Sequence, residues 1–106
     1  MAKQDKYTKS ARGQECQIRF PFVCNGNPET TVLAHLNGAG MGLKRANIHG
    51  AYACSSCHDI IDGRATLPEP LKGMKADDLM RTIKLLHLDG VIRTQEIMIK
   101  EGILEL

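Results

Sequence analysis

Apolar residues along the chain fall into short stretches separated by glycine, proline and asparagine. Between Cys16 and Cys24, Ile18, Phe20 and Phe22 alternate with other residues, and Pro21 interrupts them. That pattern predicts an edge strand, or a loop holding one short strand. Residues 30–36 are β-branched and then apolar, which predicts a strand with one buried face. Gly38, Gly40 and Gly42 make the following stretch, up to Asn47, a loop in which no helix starts. Residues 48–53 predict a second strand, antiparallel to the first. Ser55 or Ser56 caps a helix over 56–62, with Ile60 and Ile61 facing inwards, and Gly63 ends it. Pro68, Pro70 and Gly73 mark a surface loop. Asp77 then caps a helix over 78–88 whose Leu79, Ile83 and Leu86 form one stripe. Gly90 ends or breaks it, and a third helix runs over 92–101 to Gly102. Ile97-Met98-Ile99 fits a strand equally well by periodicity.

This order of elements is α+β. The chain has 106 residues, enough for one domain. Within it we distinguish a basic arm over 1–12, a core over 13–66 and a helical extension over 67–106 packed on the core. Tyr7, Phe20, Phe22 and Tyr52 are the only aromatic rings, so a core this small gains from a metal. No apolar run approaches a membrane span, and the start does not read as a secretion signal. A cytoplasmic location is expected, and with it reduced cysteines.

That expectation decides how the four cysteines are read. Cys54-Ser55-Ser56-Cys57 is a close pair suited to gripping a metal, and Cys16 and Cys24 lie upstream. Asn25-Gly26 beside Cys24 suits a knuckle whose backbone N–H groups turn towards sulfur. A structural zinc held by Cys16, Cys24, Cys54 and Cys57 is therefore expected in place of disulfides. The spacing from Cys16 to Cys24 exceeds the usual two to four, so these two come from separate turns or hairpin ends. A thioredoxin-like use of the close pair needs a βαβ unit that the chain downstream is too short to build.

The formal charge is +2, and a zinc bound by four thiolates cancels it. Net charge therefore does not argue for nucleic acid, and local clustering must. Lys3, Lys6, Lys9 and Arg12 face one acid, Asp5, in the arm, and smaller basic groups lie at Lys44-Arg45 and Arg64. We take Lys9, Arg12, Lys44, Arg45 and Arg64 as candidate DNA contacts.

The middle of the chain then reads as a strand with His35, a glycine-rich loop, Asn47, a strand, Cys-x-x-Cys-His and a short helix. That order resembles the HNH, or ββα-metal, endonuclease motif. A closer resemblance runs through Ala11-Arg12-Gly13-Gln14-Glu15-Cys16, Val23 to Thr30, Val32 to His35 and Ala53 to Asp59, with a weaker echo at Arg93-Thr94-Gln95 and Lys100-Glu101-Gly102. Over these segments the chain resembles the YbcO-like family of prophage nucleases. The resemblance implies a small zinc-stabilised HNH-like core with added C-terminal helices, and a metal-dependent endonuclease acting on DNA, most simply double-stranded. His35, Asn47 and His58 match the catalytic histidine, the central asparagine and the last histidine.

The chemistry fits those residue types. A strand histidine such as His35 can take a proton from water near neutral pH, and a divalent ion such as Mg²⁺ can bind the scissile phosphate. His58 and Asp62, four apart on a helix, would share one face and are the candidate ligands of that ion. Other readings stay open. His35 is also placed like a core histidine, His58 could join a Cys₃His zinc site, Asn47 could simply end a loop, and His49 could replace either histidine. His87 receives no role. Ala34 stands where many HNH motifs have an acid. A non-catalytic zinc module that binds nucleic acid or a phage recombination partner is the alternative function. Pairing of exposed helix stripes would allow a homodimer.

Overall fold

The expected α+β class is what the chain forms. The computed structural model describes residues 6–36, 47–69 and 71–105. A short helix α1 (Lys6–Ser10) leads into turns that end at β1 (Val32–His35), which pairs antiparallel with β2 (Gly50–Ala53). Helix α2 (Ser55–Ile61) follows directly, and the long α3 (Ala76–Lys100) closes the fold. Val32 lies opposite Ala53 and His35 opposite Gly50.

A two-stranded sheet cannot bury itself, and the chain covers it from one side with α3. Strand β2 reads Gly-Ala-Tyr-Ala, and all four residues are buried. Small side chains there let a helix come close. Tyr52 is the exception and the hub: its N–H donates to Thr94 Oγ1 (2.9 Å), its carbonyl accepts from Gln17 N–H (2.7 Å), and its hydroxyl meets Ser10 Oγ (2.8 Å). The outer edge of β2 is thus satisfied by α3 and by the segment at residue 17, as a buried strand edge must be.

Helix α3 runs through Gly90, where a break was expected, and it replaces the two expected helices. A Cβ at position 90 would lie 2.7 Å from Ile18 Cδ1, 3.2 Å from the Ala51 Cβ and 3.2 Å from the Gln17 carbonyl. Glycine is there because the helix touches the hairpin, and packing outweighs the roughly 1 kcal/mol that a mid-helix glycine costs. The strand reading of residues 97–99 is likewise overruled: Met98 is fully buried on the inner face of the same helix. Lys75, not Asp77, is the cap residue, and Asp77 and Asp78 occupy the first turn, where acids favour the positive end of the helix dipole.

Residues 16–24 form turns with no strand. Arg19 (φ 59°) and Phe22 (φ 64°) adopt the left-handed conformation within these turns. Ile18 and Phe20 are buried as the alternation required, but Phe22 is exposed. In the arm expected over 1–12, Lys6–Ser10 is helical and Ala11 is buried beside Leu33, Tyr52 and Met98. Among the described residues no helix is long and apolar enough to cross a membrane.

Candidate metal centre and histidine cluster

The cap of α2 is Cys54 in place of either serine. Its sulfur accepts from Cys57 N–H (3.4 Å) and from Asn25 N–H (3.4 Å). The helix therefore begins at a sulfur that belongs to a larger group. The Sγ atoms of Cys16, Cys24, Cys54 and Cys57 all lie within 4.8 Å of one another, and those of Cys24 and Cys54 are 3.8 Å apart. All four cysteines are free thiols, and three are buried. The strained turn at Arg19 contributes as well, because Arg19 N–H points at Cys16 Sγ (3.5 Å).

Electrostatics show what this group asks for. The Cys16 thiol is lowered to about 4, chiefly because Cys57 donates to it, with backbone N–H groups adding to the effect against burial. Cys57 is raised as the partner that keeps the proton, and burial raises Cys24. Four sulfurs, three of them buried and with backbone donors aimed at them, are close enough to hold a metal ion. The four cysteines singled out from the sequence are the ones brought together.

The second group lies further along the same helix. His58 sits one turn into α2, and its Nε2 is 3.4 Å from Asp62 Oδ2, as the i, i+4 spacing required. Arg64, a candidate nucleic-acid contact, holds both nearby acids: its guanidinium is 2.8 Å from Asp62 Oδ2 and 2.9 Å from Asp59 Oδ1. His35 ends β1 and is half-buried. Among the described residues these side chains do not form a second group of three metal-binding atoms in mutual reach. Lys44, Arg45 and the side chain of Asn47 lie outside the described residues. Lys9 and Arg12 line a groove of about 390 Å³ with Thr8, Thr31, Val32 and Leu33.

His49 is also half-buried, and its Nδ1 is buried without a hydrogen-bond partner among the described residues. His87 is more instructive. It is 4% exposed, and its Nε2 is 2.8 Å from the Ala34 carbonyl. Burial pushes its ring below the ordinary histidine range, and the neighbouring charges it feels are those of His58, Asp62 and His35. Sequence reasoning gave His87 no role. The available signal was its spacing, since Ile83, His87, Val91, Thr94 and Met98 lie on one helical face, which α3 turns towards the hairpin.

The echo at Arg93-Thr94-Gln95 also acquires a physical meaning. Arg93 Nε donates to the Gln17 carbonyl (3.2 Å), Thr94 accepts from Tyr52, and Gln95 donates to the Ile48 carbonyl. Three consecutive residues thus bind α3 to the cysteine-bearing turn, to β2 and to the turn that precedes β2.

Comparison with known proteins agrees along nearly the whole length. The family described as "Putative nuclease YbcO" matches residues 5–103. A protein of that name from Escherichia coli (strain K12) is 43% identical over 100 residues, spanning 92% of this chain and 94% of its own. One from Enterobacteria phage 82 matches with the same identity and coverage. A solved structure, titled "Structure of a putative bacteriophage protein from Escherichia coli str. K-12 substr. MG1655", superposes with a TM-score of 0.68 at 43% identity, covering 91% of this chain and 99% of that one. A match over residues 5–103, with relatives 43% identical along nearly their whole length, places the chain in the YbcO putative nuclease family.

Proposed function

We propose that the protein is a metal-dependent endonuclease that hydrolyses phosphodiester bonds in double-stranded DNA, with an HNH-like arrangement of His35, Asn47 and His58. Its relatives carry the name nuclease, and one is from a phage. The observation that carries the reading is geometric: β1, which ends in His35, packs against α2, where His58 Nε2 lies 3.4 Å from Asp62 Oδ2.

In this reading the cysteine group holds zinc for structure. Thiolates at about 2.3 Å from a tetrahedral zinc stand roughly 3.8 Å apart, and Cys24 and Cys54 have that spacing. His35 accepts a proton from the attacking water. Asn47 holds the loop that presents His35. His58 and Asp62 hold a divalent cation such as Mg²⁺, which when bound stabilises the charge that builds on phosphate and leaving oxygen. Arg64 must release Asp62 for this, and it then becomes free to meet the DNA backbone with Lys9, Arg12, Lys44 and Arg45. Products with 5′-phosphate and 3′-hydroxyl ends follow if the chemistry is that of the HNH group. The protein works in the host cytoplasm as a phage or prophage product. The exposed stripe Leu85, Leu88, Ile92 and Ile99 of α3 offers a face for homodimerisation.

One observation favours a second reading. Asp62 is already held by Arg64, which suits a zinc module that binds nucleic acid or a phage partner without cutting it. A nicking assay on supercoiled DNA with Mg²⁺ or Mn²⁺ separates the two. The endonuclease reading expects nicks with the wild type and a loss of about 10²- to 10⁴-fold with His35→Ala. DNA binding with no cleavage under any divalent ion supports the module instead.

A further inference from the structure

We propose that His87 is a positioning residue of the histidine site, locking the end of β1 so that His35 faces His58 in a fixed geometry. The inference rests on the endonuclease reading for its catalytic consequence, but its structural content stands on its own.

The end of β1 needs holding. Among the described residues beyond His35, Leu36 N–H donates to the His49 carbonyl (3.1 Å). A two-stranded ladder alone leaves such an end free to fray. His87 supplies a contact from a third element. Its Nε2 reaches the carbonyl of Ala34, the residue immediately before His35, at 2.8 Å. A carbonyl only accepts, so the ring nitrogen must be the donor, and the proton sits on Nε2. Burial keeps the ring in its neutral form. The result is a single, defined tautomer that ties β1 to α3.

The site around it is made by three elements. β1 carries His35, α2 carries His58 and Asp62, and α3 carries His87. Helix α2 packs against both β1 and α3, and the bond from His87 Nε2 to the Ala34 carbonyl joins α3 to β1. His87 therefore lies where the three elements meet. The extension over 67–106, expected only to pad the core, becomes the back wall of the site. Gly90, one turn along, permits the close approach that brings His87 within reach.

The test uses the full chain and two variants. His87→Gln keeps an N–H donor on a side chain of similar reach, whereas His87→Leu keeps bulk and removes the donor. With supercoiled plasmid and Mn²⁺, His87→Leu should lose kcat by about 10- to 100-fold, the usual cost of a small misplacement. KM for DNA should stay unchanged, and His87→Gln should remain within about fivefold of wild type. Two-bond ¹H–¹⁵N spectra of the imidazoles should show His87 neutral with its proton on Nε2. They should also show the His35 ring signals shifted in His87→Leu and close to wild type in His87→Gln. Unchanged kcat in His87→Leu, equal losses in both variants, a loss confined to KM, or a proton on Nδ1 would each overturn the proposal. If His87→Leu does not fold, a folded but inactive His87→Gln overturns it and an active one supports it. If the wild type cuts no DNA, the endonuclease reading fails by itself. The positioning claim is then decided by the spectra, and an unmoved His35 in His87→Leu overturns it.

Discussion

Helix α2 has seven residues, and its two ends are built for different work. At the start, Cys54 and Cys57 are sealed from solvent among two other sulfurs and backbone N–H donors. One turn into the helix, the side chains of His58 and Asp62 are 29% and 30% exposed; His58 Nε2 is 3.4 Å from Asp62 Oδ2, and Arg64 holds that same oxygen at 2.8 Å. A closed set of four like ligands suits an ion that never meets substrate, and an open pair suits one that must. The difference teaches that burial, more than residue type, separates the frame from the candidate chemistry. His58 directly follows Cys57, yet a turn of helix carries it out of the sulfur group.

The comparison can be broken most forcefully at its closed end. If the sulfurs hold the proposed zinc, Cys57→Ser or a strong chelator is expected to unfold the domain, because forming such a site and folding are coupled by about 10 kcal/mol or more. Loss of the cooperative melt in circular dichroism is the readout. Retention of a full melt without metal would mean that the sulfurs are only a packed cluster.

A smaller effect tests whether the frame extends to α3. Gly90→Ala improves helix propensity by about 1 kcal/mol, yet it pushes a methyl into Ile18, Ala51 and the Gln17 carbonyl. The net expectation is a destabilisation of about 1–3 kcal/mol, read as a melting point lowered by roughly 4–8 °C per kcal/mol. A higher melting point would show that α3 stands further from the hairpin.

At the open end the effects are finer. Arg64→Ala should free Asp62 and lower the half-saturating Mn²⁺ concentration, measured by binding calorimetry, by up to about fivefold, the range of an exposed ion pair. Weaker Mn²⁺ binding would instead make Arg64 part of the site's support. Lys9→Ala and Arg12→Ala should each reduce the salt slope of DNA binding by about one, with no change in melting point. An unchanged slope would remove the groove beside β1 from the binding surface.

Much of this was legible from local rules. The β-branched run before His35, the Gly-Ala-Tyr-Ala strand and the Cys-x-x-Cys turn each carry their own signal, and the cysteine group followed from spacing. What escaped depends on contacts distant in sequence. Gly90 reads as a helix stop until Ile18 and Ala51 are seen against it. His87 reads as an idle polar residue until the Ala34 carbonyl, 53 positions earlier, is found beside it. Arg64 reads as a free cation until Asp59 and Asp62 fold round to meet it. The cap of α2 was misplaced because sulfur, outside the usual set of capping groups, holds the first turn. The exposed Phe22 has no partner among the described residues that explains its place.

The proposed division between a closed structural ion and an open working one is tested most directly by removing metal in two stages and following nicking and metal content together. A mild chelator should abolish nicking of supercoiled DNA while one equivalent of thiolate-bound metal and the full melt remain, and Mg²⁺ or Mn²⁺ should then restore cutting. Nicking that persists until the thiolate-bound metal leaves, and falls in proportion to it, would contradict the account.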